Sequence, residues 1–217
     1  MPTRRAMLAP PGAPAQRSVV TDSRRISEAG TRCEAGRSPS IVSQSISTAR
    51  AGNVIGGGDF SPERIVPDCI RAASEGRAVV LRNPASTRPY QHVLEPLSAY
   101  LRIAHAQACD ASLAGSYNVG PADSDCVMTG ELAELFCRAW GEGASWRAEE
   151  ECAAPHEAGF LKLDSSRIKA HLGWQPRWHI EEAIAHTVDW AKAWRAGEDV
   201  GDVMEAQIAA YFEEAEA

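Results

Sequence analysis

Three short segments of the 217-residue chain hold residue types that can bind or move charge. The most suggestive is Leu81-Arg82-Asn83-Pro84-Ala85-Ser86-Thr87-Arg88-Pro89-Tyr90-Gln91-His92-Val93, where two arginines flank a loop. A guanidinium presents a planar fork of donors that matches phosphate oxygens bidentately, and it stays charged at any relevant pH. The same spacing also suits two solvated loop arginines, and spacing alone does not choose between them. The second segment is Arg50-Ala51-Gly52-Asn53-Val54-Ile55-Gly56-Gly57-Gly58-Asp59. Its glycines would let a backbone approach a ligand, and their amides can cradle an anion. A glycine cluster after a strand is also an ordinary turn, and this one departs from the GxGxxG and GxxGxxG spacings that seat a pyrophosphate on a first helix. The third is Pro155-His156-Glu157-Ala158-Gly159-Phe160-Leu161-Lys162-Leu163-Asp164. His156 and Glu157 have the types of a proton-transfer pair, but neighbours on an extended segment point to opposite faces. That favours a ligand-contact or hydrogen-bonding role for His156 over catalysis.

The elements that must position these residues follow from periodicity and punctuation. Ile46 to Ile55 reads as a strand ending in the glycine-rich loop. Ile65 to Glu75 reads as a helix with Ile65, Val66, Cys69, Ile70 and Ala73 on one face and Gly76 after its end. Ala78 to Leu81 is a short strand, and Asn83-Pro84 starts a turn. Helical spacing returns from Leu94 to Ala108, and Ser116 to Val119 is a strand closed by Gly120-Pro121. Thr129 is a suitable N-cap for a helix over Glu131 to Trp140, with Gly141 as its stop. Leu161 to Leu163 is strand-like, Asp164 or Ser165 caps a helix over Arg167 to Leu172, and a longer helix runs from Ile180 to Arg195. Trp174, Trp178, Trp190 and Trp194 are most simply core and packing residues. Short strands alternating with helices predict an α/β fold.

Composition narrows the function classes. With 44% hydrophobic and 24% charged residues, the chain has the make-up of an ordinary globular protein. No apolar run approaches the ~18 residues needed to span a bilayer, so no membrane partner is expected. The net charge of −7 hides an asymmetry, because residues 1–50 hold eight Arg and only three acids. The rest is strongly acidic, which argues against a nucleic-acid partner, since phosphate backbones need a basic face. Residues 1–45 lack aromatic residues and apolar periodicity, and they predict a disordered N-terminal segment ahead of an organised region over 46–217. The six cysteines (Cys33, Cys69, Cys109, Cys126, Cys137, Cys152) form no CxxC pair, so no metal site is expected, and free thiols in a reducing cytoplasm are the favoured reading.

The three chemical segments, in their order and spacing, resemble those of the CDP-glucose 4,6-dehydratases, members of the extended short-chain dehydrogenase/reductase family. The likeness runs over about residues 48–212 and includes Gln91-His92-Val93-Leu94-Glu95-Pro96 and Leu172-Gly173-Trp174-Gln175-Pro176-Arg177-Trp178. Phe60 and Tyr90 stand where Trp is common in the family. The resemblance implies the last strand of a Rossmann-type sheet followed by the small C-terminal substrate-binding α/β domain. It also implies that Ala51 and Val54 lie beside the nicotinamide of NAD and that Asn53 touches the substrate, CDP-glucose or a related nucleotide sugar. Arg64 and Ile65 would line the nucleotide pocket, Leu81 and Arg82 approach base and ribose, Arg88 hold the pyrophosphate, and His156 close the site. Full-length relatives of this kind commonly form homodimers.

The family reaction oxidises the sugar with NAD, eliminates water across C5 and C6 and returns the hydride. Its first step needs a Tyr base with a Lys four residues later. Here Tyr90, Tyr100, Tyr117 and Tyr211 are followed at that distance by Leu94, Ala104, Pro121 and Ala215. No catalytic residue of the family is therefore expected in this sequence, and the resemblance implies a CDP-glucose 4,6-dehydratase-like protein (CDP-glucose to CDP-4-keto-6-deoxyglucose and water) that is truncated and inactive alone, the alternatives being a stand-alone nucleotide-sugar-binding module or a fragment that does not fold stably.

Overall fold

The computed structural model describes residues 45–149 and 159–213. The segment 1–44 and His156 lie outside them. In chain order the elements are β1 (Thr48–Ala51), β2 (Asn53–Ile55), α1 (Ile65–Ser74), β3 (Val79–Leu81), β4 (Thr87–His92), α2 (Leu94–Cys109), β5 (Ser116–Val119), β6 (Cys126–Met128), α3 (Thr129–Trp140), β7 (Trp146–Ala148), α4 (Ser166–Leu172), α5 (Ile180–Ala196) and α6 (Val200–Glu213). The architecture is mixed α/β, with the strands in three small sheets rather than one. β1 pairs with β5 in parallel, β2 with β4 in parallel, and β3 with β7 in parallel, while β6 adds to β4 antiparallel.

The single strand expected over Ile46 to Ile55 is two strands, and the break is at Gly52. The Gly52 N–H still donates to Val119 O of β5 (3.1 Å), but one residue later Asn53 is in register with Tyr90 of β4. A Cβ at Gly52 would stand 2.5 Å from Pro89 O. Only glycine lets the chain pass that carbonyl while it changes partner.

The loop expected after Leu81 is instead half strand, β4, flanked by β2 and β6. Its Pro89 lies opposite Gly52, just before the β2 ladder begins, and so removes no bond from that pairing. Leu161 to Leu163 forms no strand; that segment contributes an isolated bridge of Phe160 with Thr87, with Leu161 N–H donating to Thr87 O (3.2 Å). The last helix, α6, was not anticipated.

Helix ends carry much of the local specification. α1 stops in a Schellman arrangement: Gly76, with φ +64°, donates to Ala73 O (3.1 Å) and Arg77 to Ala72 O (2.8 Å). α3 begins at Thr129, two residues earlier than expected. Met128, not Thr129, is its N-cap, and Met128 N–H is held by Glu131 Oε2 at 2.8 Å. The Thr129 hydroxyl is engaged by Ser86, which accepts from it through its carbonyl (3.0 Å).

The core has two parts. In the larger, α1, α3 and α5 pack over β3 and β4 through Val66, Cys69, Leu132, Phe136, Ile184 and Val188, with Trp140 and Trp190 filling the volume between helices. The smaller joins α2, β5 and α4 through Ala99, Ile103, Tyr117, Val119, Ile168 and Trp174. Trp178 is also buried, as expected. A polar hub ties these layers: Glu95, 0% exposed, accepts from Arg177 N–H (3.0 Å), Trp178 N–H (2.8 Å) and the Tyr211 hydroxyl (2.8 Å). Burial pushes its carboxyl pKa up, against the pull of those donors. Cys69, Cys126 and Cys137 carry free thiols, whereas Cys109 is disulfide-bonded, so the expectation of free thiols fails at that position. No described helix is long and apolar enough to cross a membrane.

Candidate functional site

One large cleft, of about 980 Å³, opens where the C-terminal ends of β1 to β3 meet the N-terminus of α1. Ligands of parallel α/β proteins bind outside the carboxyl ends of their strands. Ala51, Asn53 and Val54 reach the cleft from β1 and β2, Arg64 and Ile65 from the start of α1, Leu81 and Arg82 from β3, and Arg88 from β4. All eight sequence-predicted residues that the structure describes thus line the same cavity, although Ala51 and Arg88 are separated by 37 positions in the chain.

The cations differ in their surroundings. Arg64 Nη1 lies 3.3 Å from Asp59 Oδ2; the arginine side chain is largely open to water and the aspartate is partly buried. Slight burial raises the Asp59 carboxyl, but donors from Ser61 and the Arg64 charge outweigh it and hold its pKa below the usual carboxylate value. Arg88 is half-buried and donates from Nη1 to Thr87 O (3.0 Å). Arg82 is exposed, and its side chain makes no hydrogen bond or ion pair among the described residues. Glu63 precedes Arg64 in the left-handed region (φ +61°), a conformation uncommon outside glycine, and from there Arg64 runs extended into α1.

A cluster of hydroxyls at the cleft wall has no counterpart among the residues that the sequence predicts for the site. Ser86 Oγ lies 2.9 Å from Thr129 Oγ1, and Tyr90 OH lies 3.3 Å from the same atom. All three residues line the cavity. The turn after Arg82 also supplies acceptors to α3, because Thr129 N–H donates to Ser86 O (2.9 Å) and Gly130 N–H to Pro84 O (2.8 Å). The first turn of α3 is thereby satisfied by the segment that carries both arginines. Nothing in the spacing of Ser86 and Thr129 signals this, since they lie 43 positions apart.

Within the glycine cluster, Gly56 lines the cleft and Gly57 serves packing. A Cβ on Gly57 would fall 2.2 Å from the Trp190 indole, so this residue is small because α5 presses a tryptophan against it. Phe60 continues the contact, with ring centroids 4.9 Å from Trp194 and 6.3 Å from Trp190. His156, the remaining predicted contact, lies outside the described residues.

Comparison with known proteins fits this geometry. No protein-family model matches the chain. Over 168 residues, 77% of its length, it is 41% identical to the CDP-glucose 4,6-dehydratase of Salmonella typhimurium. The chain is a homologue of that enzyme. The match spans only 46% of the enzyme, so the homologous region is less than half of the relative. Among solved structures, UDP-glucuronic acid 4-epimerase from Bacillus cereus, in complex with UDP-glucuronic acid and NAD, superposes with a TM-score of 0.59 at 14% identity, over 69% of this chain and 46% of the epimerase. dTDP-glucose 4,6-dehydratase from Bacillus anthracis, in complex with NAD, gives 0.52 at 19% identity, over 66% and 43% of the two chains. These likenesses establish a fold shared with part of the NAD-dependent epimerases and dehydratases.

Proposed function

We propose that this chain is the nucleotide-sugar-binding part of a CDP-glucose 4,6-dehydratase-like enzyme, and that its cleft takes CDP-glucose or a related nucleotide sugar. The observation that carries the reading is the convergence of Arg64, Arg82 and Arg88 on one cavity of about 980 Å³ in an otherwise acidic body. A diphosphate is the ligand group that such forks match best. Arg88 and Arg82 hold the two phosphates, Leu81 and Ile65 give apolar contact to the base, and Asn53 reaches the sugar. The Ser86, Tyr90 and Thr129 hydroxyls offer further polar contacts along the wall. In this reading β1 and β5 are the end of a Rossmann-type sheet, and the remainder is the small substrate domain. Cytidine as the base rests on homology to the Salmonella enzyme.

The relatives in the two solved structures hold NAD, but the residues present here do not fit its pyrophosphate. The glycine-rich turn after β2 is occupied by Trp190 at Gly57, and α1 begins only at Ile65, with Asp59, Glu63 and Asp68 beside its start. No hydride step is therefore derived from this chain, whose tyrosines also lack a lysine four residues on. In this reading the residues described here contribute substrate binding.

Titration calorimetry of the folded chain with CDP-glucose, and separately with NAD, tests the reading. Saturable heat with CDP-glucose and none with NAD is expected. A chain with a native circular dichroism spectrum that binds neither would refute the assignment of the cleft.

A further inference from the structure

Residues 160–165 belong to no strand or helix apart from the isolated bridge at Phe160, yet they are fastened at both ends and once in between. At one end Thr87 N–H donates to Gly159 O (2.9 Å) and Leu161 N–H to Thr87 O (3.2 Å). At the other, Asn118 Nδ2 donates to Asp164 O (3.0 Å) and Gly120 N–H to Ser165 Oγ (2.9 Å). Between them Lys162 Nζ lies 3.2 Å from Asp123 Oδ2. The segment is a strap from β4 to the end of β5. Its residues alternate: Leu161 and Leu163 line the cleft, while Lys162 turns away and lies over the Phe160 ring, 5.7 Å from its centre. This is the pattern of an extended chain with one face on the cavity.

The strap uses a particular edge of β4. Ser86 O accepts from Thr129 N–H beside β6, and Arg88 is in register with Val127 of β6, so the backbone groups of Ser86 and Arg88 face β6. Those of Thr87 face the opposite edge, as do those of Val93, whose N–H donates to Ile55 O of β2 (2.8 Å). Strap and β2 therefore share one edge of β4, and Pro89, which has no N–H, stands between them. The Arg88 side chain bends back to that edge, because its Nη1 donates to Thr87 O (3.0 Å). One carbonyl oxygen thus takes both the Leu161 N–H and the Arg88 guanidinium, which its two lone pairs allow. The strap holds Thr87 through its N–H and its C=O alike, and Thr87 O is where the guanidinium is anchored.

We propose that the strap is a positioning element for Arg88. Through the Leu161 N–H on Thr87 O it fixes the direction in which the guanidinium enters the cleft, and so sets the affinity for an anionic group there. The strap's own contact with that ligand is apolar, through Leu161 and Leu163. That the anion is the diphosphate of a nucleotide rests on the reading above. The positioning rests on two hydrogen bonds to one oxygen, and it is measured both with and without nucleotide.

Two substitutions at one position separate orientation from contact. Leu161→Pro removes the N–H and keeps an apolar side chain, in a segment whose extended course suits proline. Leu161→Ala keeps the N–H and removes the side chain. In calorimetric titration of the full 217-residue chain with CDP, Leu161→Pro should weaken binding by about three- to tenfold. In an Arg88→Ala background that loss should vanish, whereas the loss from Leu161→Ala should persist, because it concerns contact alone. Without nucleotide, the Arg88 guanidinium signal is followed by nitrogen NMR of arginine-labelled protein and identified by its disappearance in Arg88→Ala. Its rotation should be roughly tenfold faster in Leu161→Pro than in the wild type, since an anchor of the side chain is loosened. Asn118→Ala, which frees the far end of the strap and leaves β4 untouched, should move the signal in the same direction. Circular dichroism of both strap variants should match the wild type, separating lost positioning from lost folding. A loss on Leu161→Pro as large without Arg88 as with it, or an Arg88 signal unchanged in both strap variants, would overturn the proposal. A chain that shows the expected Arg88 response but binds no CDP would refute the nucleotide reading and support the positioning.

Discussion

Replacing the cleft arginines singly by alanine is the sharpest probe of the nucleotide reading, because the three side chains begin from different states. Arg82 makes no hydrogen bond or ion pair among the described residues, so its removal costs only what it gives the ligand. A hydrogen bond to a charged group contributes about 1.5–3 kcal/mol, which corresponds to roughly 10- to 150-fold in Kd. Arg88→Ala should fall in the same range, since the fork is half-buried beside the hydroxyl wall. Arg64 already faces Asp59 at 3.3 Å in an exposed pair. Its net contribution is smaller, on the order of 0.5 kcal/mol or about twofold, as for surface ion pairs. Arg147, on β7 and outside the cleft, carries the same charge and serves as control, with an expected change within twofold. Calorimetric titration with CDP at about 0.15 M salt, where exposed charges are screened beyond ~8 Å, reads the four variants on one scale. Equal losses for Arg88→Ala and Arg147→Ala would mean that only overall charge is sensed, and the pocket assignment would fail.

Three further outcomes follow from the packing. Glu95→Ala leaves the buried Trp178 N–H and the partly buried Arg177 N–H without their acceptor and the Tyr211 hydroxyl with Ser98 Oγ alone, and should cost about 3–5 kcal/mol in urea unfolding. Glu95→Gln keeps one acceptor oxygen and should cost less than half as much; equal losses would show that the hydrogen bonds are not what matters there. The His92 imidazole is pushed down from 6.5 to about 3 by burial and by neighbouring His186. A depressed histidine stabilises the fold above its unfolded pKa, so this contribution is fully present above pH 6.5 and is lost as the pH falls from 6.5 toward 3. His92→Asn should flatten that acid limb, by up to about 1.4 kcal/mol per pH unit in chemical denaturation, and an unchanged slope would contradict the assignment. Gly57→Ala must displace Trp190, whose ring lies 2.2 Å from the added carbon, and should lower stability by about 1–3 kcal/mol; a neutral melting curve would return the glycine turn to candidacy as a ligand cradle.

The parts of the fold legible in the sequence were those whose signals are local. α1, α2 and α5 lie within one or two residues of expectation at either end, because an apolar face, a first-turn boundary and a stop residue are all written into the segment itself. β4 was not legible. Its sequence Thr-Arg-Pro-Tyr-Gln-His shows no alternation, and its buried Gln91 and His92 are polar. Gln91 is accommodated by donating to Val119 O at 3.0 Å, an acceptor 28 positions away, and no window along the chain contains that fact. α6 was missed for a related reason. Its inward residues Gln207 and Tyr211 are polar, while the apolar Met204, Ile208 and Phe212 point outward, so its pattern contradicts the burial it adopts.

The candidate site divides along the same line. Its arginines and backbone contacts could be named from the resemblance because each sits in a recognisable segment, yet the resemblance does not say what holds them in place. The turn carrying Arg82 and Arg88 is pinned to α3 by Ser86 and Thr129 and by the Pro84 carbonyl. Those three contacts are individually ordinary, worth about 1 kcal/mol each, and none involves a group that would touch a nucleotide through charge. Together they fix where two guanidinium groups begin. A substitution such as Thr129→Val should therefore weaken nucleotide binding by loosening the turn while it removes no ligand-facing charge, and the loss should be insensitive to salt where that of Arg82→Ala is not. Positioning of the arginines is in this sense a property of the tertiary fold, and it is at Ser86 and Thr129, not at the arginines, that a reading from sequence alone runs out.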